Sequence, residues 1–263
     1  MSAPAIAAED IRISFGGVRA LDGISFAARA GEVFSIIGPN GAGKTTLFNI
    51  VSGLYRPERG RIFLEGEDVT AFPPHRLAAR GLCRTFQNLQ IFFRMTAIEN
   101  VMVGRHVHEQ RGLVPALLRL PSVLRQNRAT RARAHELLAF VGLATRADDP
   151  AAALPYGALK RLEIARALAA EPRVLLLDEP AAGCNAVETE EIDRLIAAIA
   201  ERGTAVVLVE HDMKLVMRVS NRILVLNHGR MLAEGSPAEV RANPEVVAAY
   251  LGRHAAGVAH AAS

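Results

Sequence analysis

Lys44 and Thr45 close the octapeptide Gly38-Pro39-Asn40-Gly41-Ala42-Gly43-Lys44-Thr45, which satisfies the pattern G-x-x-x-x-G-K-[ST]. The chemistry of that pattern is phosphate binding. Its glycines let successive backbone N–H groups converge on phosphate oxygens, and the positive end of the helix that follows adds to the attraction. In such a loop Lys44 reaches the β- and γ-phosphates and the Thr45 hydroxyl coordinates Mg²⁺, with Thr46 next in the nucleotide-contacting stretch. Lysine is scarce, occurring only as Lys44, Lys160 and Lys214, so a chance match is rare. This is a nucleotide site. Two adjacent carboxylates, Asp178 and Glu179, follow the apolar run Val174–Leu177. Asp178 is suited to hold Mg²⁺ through a water, and Glu179 to polarise an attacking water as general base, a role worth roughly 10²–10⁴ in rate. Gln87, in RTFQN, offers a side-chain amide to the Mg²⁺ shell or to the water. His211, just past AVVLVE, is placed to hydrogen-bond a γ-phosphate or hold the water. Phe15 is the nearest upstream aromatic able to stack on adenine; a place in the core is the competing reading.

The elements that must position these residues alternate. Short apolar strands are expected at Ile11–Phe15, Val18–Phe26, Val33–Ile37 and Arg61–Glu65, with a further apolar strand before RTFQN. Later strands fall at 173–178, 204–210 and 222–226, and helices at Lys44–Gly53, Pro73–Arg80, 187–202 and 212–219. That order argues for a mostly parallel sheet with crossover helices. A continuous apolar strand such as Val174–Leu177 is buried on both faces, and acids past its end sit at the carboxyl edge, where open α/β sheets bind ligands. Residues from about 96 to 170 read as mainly helical, broken by Pro115, Pro121, Gly142 and Pro150, and form an inserted subdomain. Residues 227–230 read as a hairpin turn, the tail from 236 as two short helices, and the Ala-rich last dozen residues as frayed.

Half of the 263 residues are hydrophobic, an ordinary globular composition. The net charge of +4 is local: seven arginines between Arg105 and His135 face one acid, Glu109. That stretch reads either as a solvated helical face or as a surface docking near anionic headgroups. Nucleic-acid binding is not expected, because no aromatics interleave with the arginines. Cys83 and Cys184 lack metal-ligand spacing and read as reduced thiols. No signal peptide and no membrane-spanning run are expected.

Taken in order, Phe15, the phosphate loop, Gln87, a glycine turn at 154–158, Asp178-Glu179 and His211 resemble the nucleotide-binding subunits of ABC transporters, over essentially the whole chain. RTFQNLQIFFRMTAIENVMVGRH, LEIARALA, LLLDEPAAGCN, VEHDMKLVM and ANPEVVAAYLG are similar to the LivG-type ATPases of bacterial branched-chain amino acid importers. The resemblance implies an α/β P-loop NTPase (RecA-like) core from residues 1–95 plus 171–263, with an N-terminal antiparallel β region and a helical subdomain at 96–170. It implies that ATP, with Mg²⁺, is hydrolysed to energise uptake of branched-chain or related amino acids. The expected partners are a second ABC ATPase subunit, two transmembrane permeases and, indirectly, a periplasmic solute-binding protein. The expected location is cytoplasmic, on the inner face of the cell membrane. Other ABC systems, for lipopolysaccharide export or amide and urea import, share the core. Non-transport members carry two cassettes or long coiled-coil insertions, and this chain has neither.

In that family two subunits face head to tail, and the turn of each completes the other's ATP site. Here the turn is Leu154-Pro155-Tyr156-Gly157-Ala158, against the family-wide L-S-G-G-Q. Pro155 removes a hydroxyl and an N–H, although proline is tolerated in a helix's first turn, and Ala158 removes an amide. The expectation is a weaker site at this turn. Asn185 also stands where many members have Asp, which leaves its contact across the dimer open.

Overall fold

The computed structural model describes residues 3–108 and 121–249. Glu109, Arg111, Pro115 and Arg119 of the basic segment, the Tyr250–Gly252 end of the tail motif and the Ala-rich terminus lie outside the described residues. The chain begins with an antiparallel sheet of β1 (Ile6–Phe15), β2 (Val18–Ala28), β4 (Arg59–Leu64) and β5 (Glu67–Asp68), in the order β2-β1-β4-β5. Strand β1 starts at Ile6, ahead of the expected Ile11. Asp10 takes a left-handed φ of 47° and the pairing with β2 shifts between Ala8 and Ile11, so the period-two alternation that marks a strand breaks there.

The second sheet holds β3 (Val33–Ile37), β6 (Leu82–Arg84), β7 (Val174–Asp178), β8 (Ala205–Val209), β9 (Arg222–Asn227) and β10 (Arg230–Gly235), in the order β10-β9-β3-β8-β7-β6. Five of these strands are parallel; β10 alone runs antiparallel, joined to β9 by a turn in which His228 and Gly229 both have positive φ. The strands β3, β7 and β8 are buried at every residue. On β7, Leu175 and Leu177 enter one core and Val174 and Leu176 the other; Val206 and Leu208 of β8 alternate in the same way with Ala205, Val207 and Val209. A helical layer on one face and the antiparallel sheet with α1 (Lys44–Val51) on the other explain why these runs are apolar throughout.

Between β6 and β7 the described residues form α3 (Ala97–Gly104), α4 (Pro121–Phe140), α5 (Tyr156–Leu168) and short 3₁₀ turns; α2 (Pro74–Ala79) precedes β6. A reciprocal capping box of Thr96 and Glu99 starts α3. Helix α3 lies so close to α5 that a Cβ on Gly104 would fall 2.0 Å from the Arg166 carbonyl oxygen. Buried Asn100 holds the preceding loop to α3, accepting from Phe92 N–H and donating to the carbonyls of Phe92 and Thr96. The later helices are α6 (Ala186–Glu201), α7 (Met213–Val219) and α8 (Pro237–Ala242), with 244–249 helical again. Among the described residues no helix is long and apolar enough to cross a membrane.

In the basic segment Arg105 pairs with Glu171, Arg131 with Asp148 and Arg133 with Glu136, while Arg125 and Arg128 are exposed on α4.

Candidate functional site

Because β3, β8, β7 and β6 are parallel neighbours, the loops leaving their carboxyl ends share one edge of the sheet. These four loops carry the phosphate-loop residues, His211, Asp178-Glu179 and Gln87 respectively. The phosphate loop leaves β3 through Gly38, whose φ is 153° and where a Cβ would lie 2.3 Å from the Leu226 carbonyl oxygen. It closes at Gly43, left-handed at φ 104°, where a Cβ would meet Leu21 at 2.6 Å. Only glycine fits either position. No side chain caps α1, so its first-turn N–H groups are presented by Gly43, Lys44 and Thr45 without a competing acceptor on the cap. Ala42 is buried, Gly41 and Thr45 are exposed, and Lys44 Nζ donates to Gly38 O at 2.7 Å and Pro39 O at 3.1 Å. The lysine therefore lies over its own loop.

Glu179 is the hub. It sits in the left-handed region at φ 47°, a conformation that costs a non-glycine residue on the order of 1–3 kcal/mol and concentrates at functional sites. Its N–H is held by Val209 O at 2.9 Å, across the end of β8. Gln87 Nε2 donates to Glu179 Oε2 at 3.1 Å, and His211 Nδ1 lies 3.7 Å from Oε1. Three residues separated widely in sequence thus meet at one carboxylate.

Asp178, beside it, is buried, and its Oδ2 accepts from Arg84 Nη2 at 2.8 Å. Sequence reasoning passed over Arg84, although a charged residue ending an apolar strand inside RTFQN was a visible signal. It also passed over Glu210, which is only 1% exposed. Glu210 accepts the backbone N–H of His211 at 2.9 Å and of Asp212 at 3.4 Å on one oxygen, and that of Ala181 at 3.2 Å on the other. It ties the turn carrying His211 to the turn carrying Glu179. Burial pushes its carboxyl above the ordinary range, while the three N–H donors pull the other way. Lys160, 2% exposed, likewise donates to the Gln87 carbonyl oxygen at 3.3 Å from inside α5.

Phe15 is 46% exposed and meets Tyr55 edge to face with centroids 5.5 Å apart. The core reading of Phe15 therefore fails, and Tyr55 is a second aromatic that the sequence reading missed. The turn at 154–158 opens α5, the helix that carries Lys160. Pro155 and Tyr156 are exposed, Leu154, Gly157 and Ala158 are buried, and no side chain caps the start of α5. Tyr156 packs on the loop after Glu179: a Cβ on Gly183 would meet its ring at 3.0 Å, and one on Gly157 would meet the Glu188 carboxylate at 2.4 Å. Asn185 caps α6, accepting from Val187 N–H and Glu188 N–H, while Glu188 accepts from Asn185 N–H.

The chain matches the ABC transporter family over residues 21–182. It belongs to the ATP-binding subunits of ABC transporters. A second match, to the family described as branched-chain amino acid ATP-binding cassette transporter, covers residues 230–256 of this ABC subunit. It is 44% identical over 253 residues to the high-affinity branched-chain amino acid transport ATP-binding protein BraF of Pseudomonas aeruginosa, covering 96% of this chain and 99% of that one. It is also 44% identical to the corresponding protein LivG of Escherichia coli strain K12, with the same coverage. Among solved structures, an ATP-binding cassette of an ABC transporter in its ADP conformation superposes with a TM-score of 0.82, at 30% identity, over 95% of this chain and all of that one. The ABC cassette therefore carries an ATP site, and Glu179 follows a strand separated from that of the phosphate loop by β8 alone.

Proposed function

We propose that this ABC ATPase energises import of branched-chain or related amino acids, binding ATP on Gly38–Thr46 and hydrolysing it at Glu179. The observation that carries the reading is the meeting of Gln87 and His211 on Glu179, beside the phosphate loop. Lys44 turns from the carbonyls of Gly38 and Pro39 to the β- and γ-phosphates, and Phe15 stacks on the adenine. Glu179 takes the proton of the attacking water, while Gln87 and His211 hold that water and the γ-phosphate in line. Thr45, Gln87 and Asp178 supply oxygen donors alone, the set a hard cation takes. Mg²⁺ bound there would neutralise charge developing on the phosphates.

Leu154–Ala158 serves a second site. Its uncapped helix start, exposed at Pro155 and Tyr156, presents N–H groups to a γ-phosphate held by a second ABC ATPase subunit. Residues 1–95 with 171–263 act as the nucleotide-binding core and 96–170 as a helical subdomain. Between them lies an apolar groove of about 450 Å³, lined by Leu82, Phe86, Phe92, Val103 and Ala167, with Phe86 and Phe92 exposed. This surface suits a permease subunit, and two permeases would hold the ATPase pair on the inner face of the membrane, with a periplasmic binding protein beyond.

Glu179→Gln tests the reading. ATP binding is expected to be kept and hydrolysis to fall by roughly 10²–10⁴. In cells, uptake of leucine, isoleucine and valine is expected to be lost. Normal uptake of all three rejects the substrate assignment; normal hydrolysis rejects the role of Glu179.

A further inference from the structure

We infer that Arg84 is a positioning residue that sets the separation of the two Mg²⁺ ligands, Asp178 and Thr45; the inference rests on the ATPase reading above. Thr45 and Asp178 belong to different elements, the start of α1 and the end of β7, and the sheet ties them only indirectly, through the phosphate loop, β3 and β8. Arg84, at the end of β6, spans the gap. Its Nη2 donates to Asp178 Oδ2 at 2.8 Å, and its Nη1 to Asn49 Oδ1 at 2.7 Å and Ser52 Oγ at 2.8 Å, both on or just past α1. Thr45, Asn49 and Ser52 ride on one helical rod, so the planar guanidinium fixes the rod against the carboxylate.

The pair is nearly dry, with side-chain exposures of 8% for Arg84 and 10% for Asp178. Burying such a pair is a weak source of stability, because desolvation offsets the attraction. Arg84 carries a further cost: its buried Nε has no hydrogen-bond partner. Phe48 and Phe86 flank the guanidinium at 5.4 and 5.1 Å and limit its movement. A costly, rigid, two-armed cation between two ligand-bearing elements is what geometric demand on a metal requires. Mg²⁺ makes that demand, since it takes near-ideal octahedral geometry, whereas Ca²⁺ tolerates irregular sites. Lysine cannot substitute, because its single ammonium lacks the fork that reaches both arms.

The experiment measures binding of a fluorescent ATP analogue to the full chain with EDTA, with Mg²⁺ and with Ca²⁺, for wild type, Arg84→Lys and the double variant Asn49→Ala/Ser52→Ala. The double variant cuts only the α1 arm and leaves Asp178 paired, so it stays informative if Arg84→Lys does not fold. Expected are metal-free affinities within about twofold of wild type and half-saturating Mg²⁺ raised about tenfold, the usual scale for groups behind a metal ligand. Half-saturating Ca²⁺ is expected to stay within about twofold. Unchanged Mg²⁺ dependence in folded variants overturns the inference, and so does a parallel loss for both ions, which would mark a general loosening of the site rather than a demand for one geometry. Wild type that fails to bind the analogue under any of the three conditions instead rejects the ATPase reading itself.

Discussion

Phe15 and Tyr55 are exposed aromatics on a protein whose other large apolar side chains mostly face its cores or its groove. Stacking a base on an aromatic ring is worth about 1–3 kcal/mol, so Phe15→Ala is expected to weaken ATP binding by between about fivefold and about a hundredfold. Because the ring is not in the core, the melting temperature is expected to stay within the range of a surface substitution. Titration with a nucleotide analogue and a thermal melt check the two halves separately; a large loss of stability with unchanged affinity would return Phe15 to the core. At this scale the sequence reveals the chemistry of single side chains and hides their partners. Gln87, Glu179 and His211 were legible because each follows an apolar strand. Arg84 was not assigned to Asp178, since the two lie 94 residues apart and only strand pairing brings them together.

The helices and strands were legible in proportion to how purely one force shapes them. Strands β3, β7 and β8 read plainly, because burial on both faces demands an unbroken apolar run. Strand β1 was read short, because Asp10 interrupts its alternation. Ala158 was read as a missing polar contact, yet it is 2% exposed and packs into the core below α5. The departure at this position is thus filled by packing. Asn185 shows a second local solution, since its side chain caps α6 as an Asp would. Asn185→Ala is expected to cost about 1 kcal/mol by losing that cap, and Asn185→Asp a few tenths at most. Denaturant melts of the two variants check this, and equal stability would show that α6 starts without the cap.

For the assembled complex, Pro155 carries the expectation of unequal sites. Pro155→Ser restores a hydroxyl and an N–H at an exposed helix start, and is expected to raise the ATPase rate of the complex severalfold. An unchanged rate would show that the proline is harmless. Ala158→Gln is a poor companion, because overpacking a buried position costs typically 1–3 kcal/mol and would confound the measurement. Within one chain, Tyr156 rests on the loop that follows Glu179, and Lys160 of the same helix grips the carbonyl of Gln87. The turn proposed to face a partner's nucleotide and the residues proposed to serve this chain's own are therefore parts of one packed body. Thermodynamic linkage makes any influence between them reciprocal: whatever factor the first nucleotide adds to the affinity for the second, the second returns to the first. In the head-to-tail pair proposed above, the same coupling factor therefore appears at both ATP sites, whichever its sign, and changing one turn is felt at both.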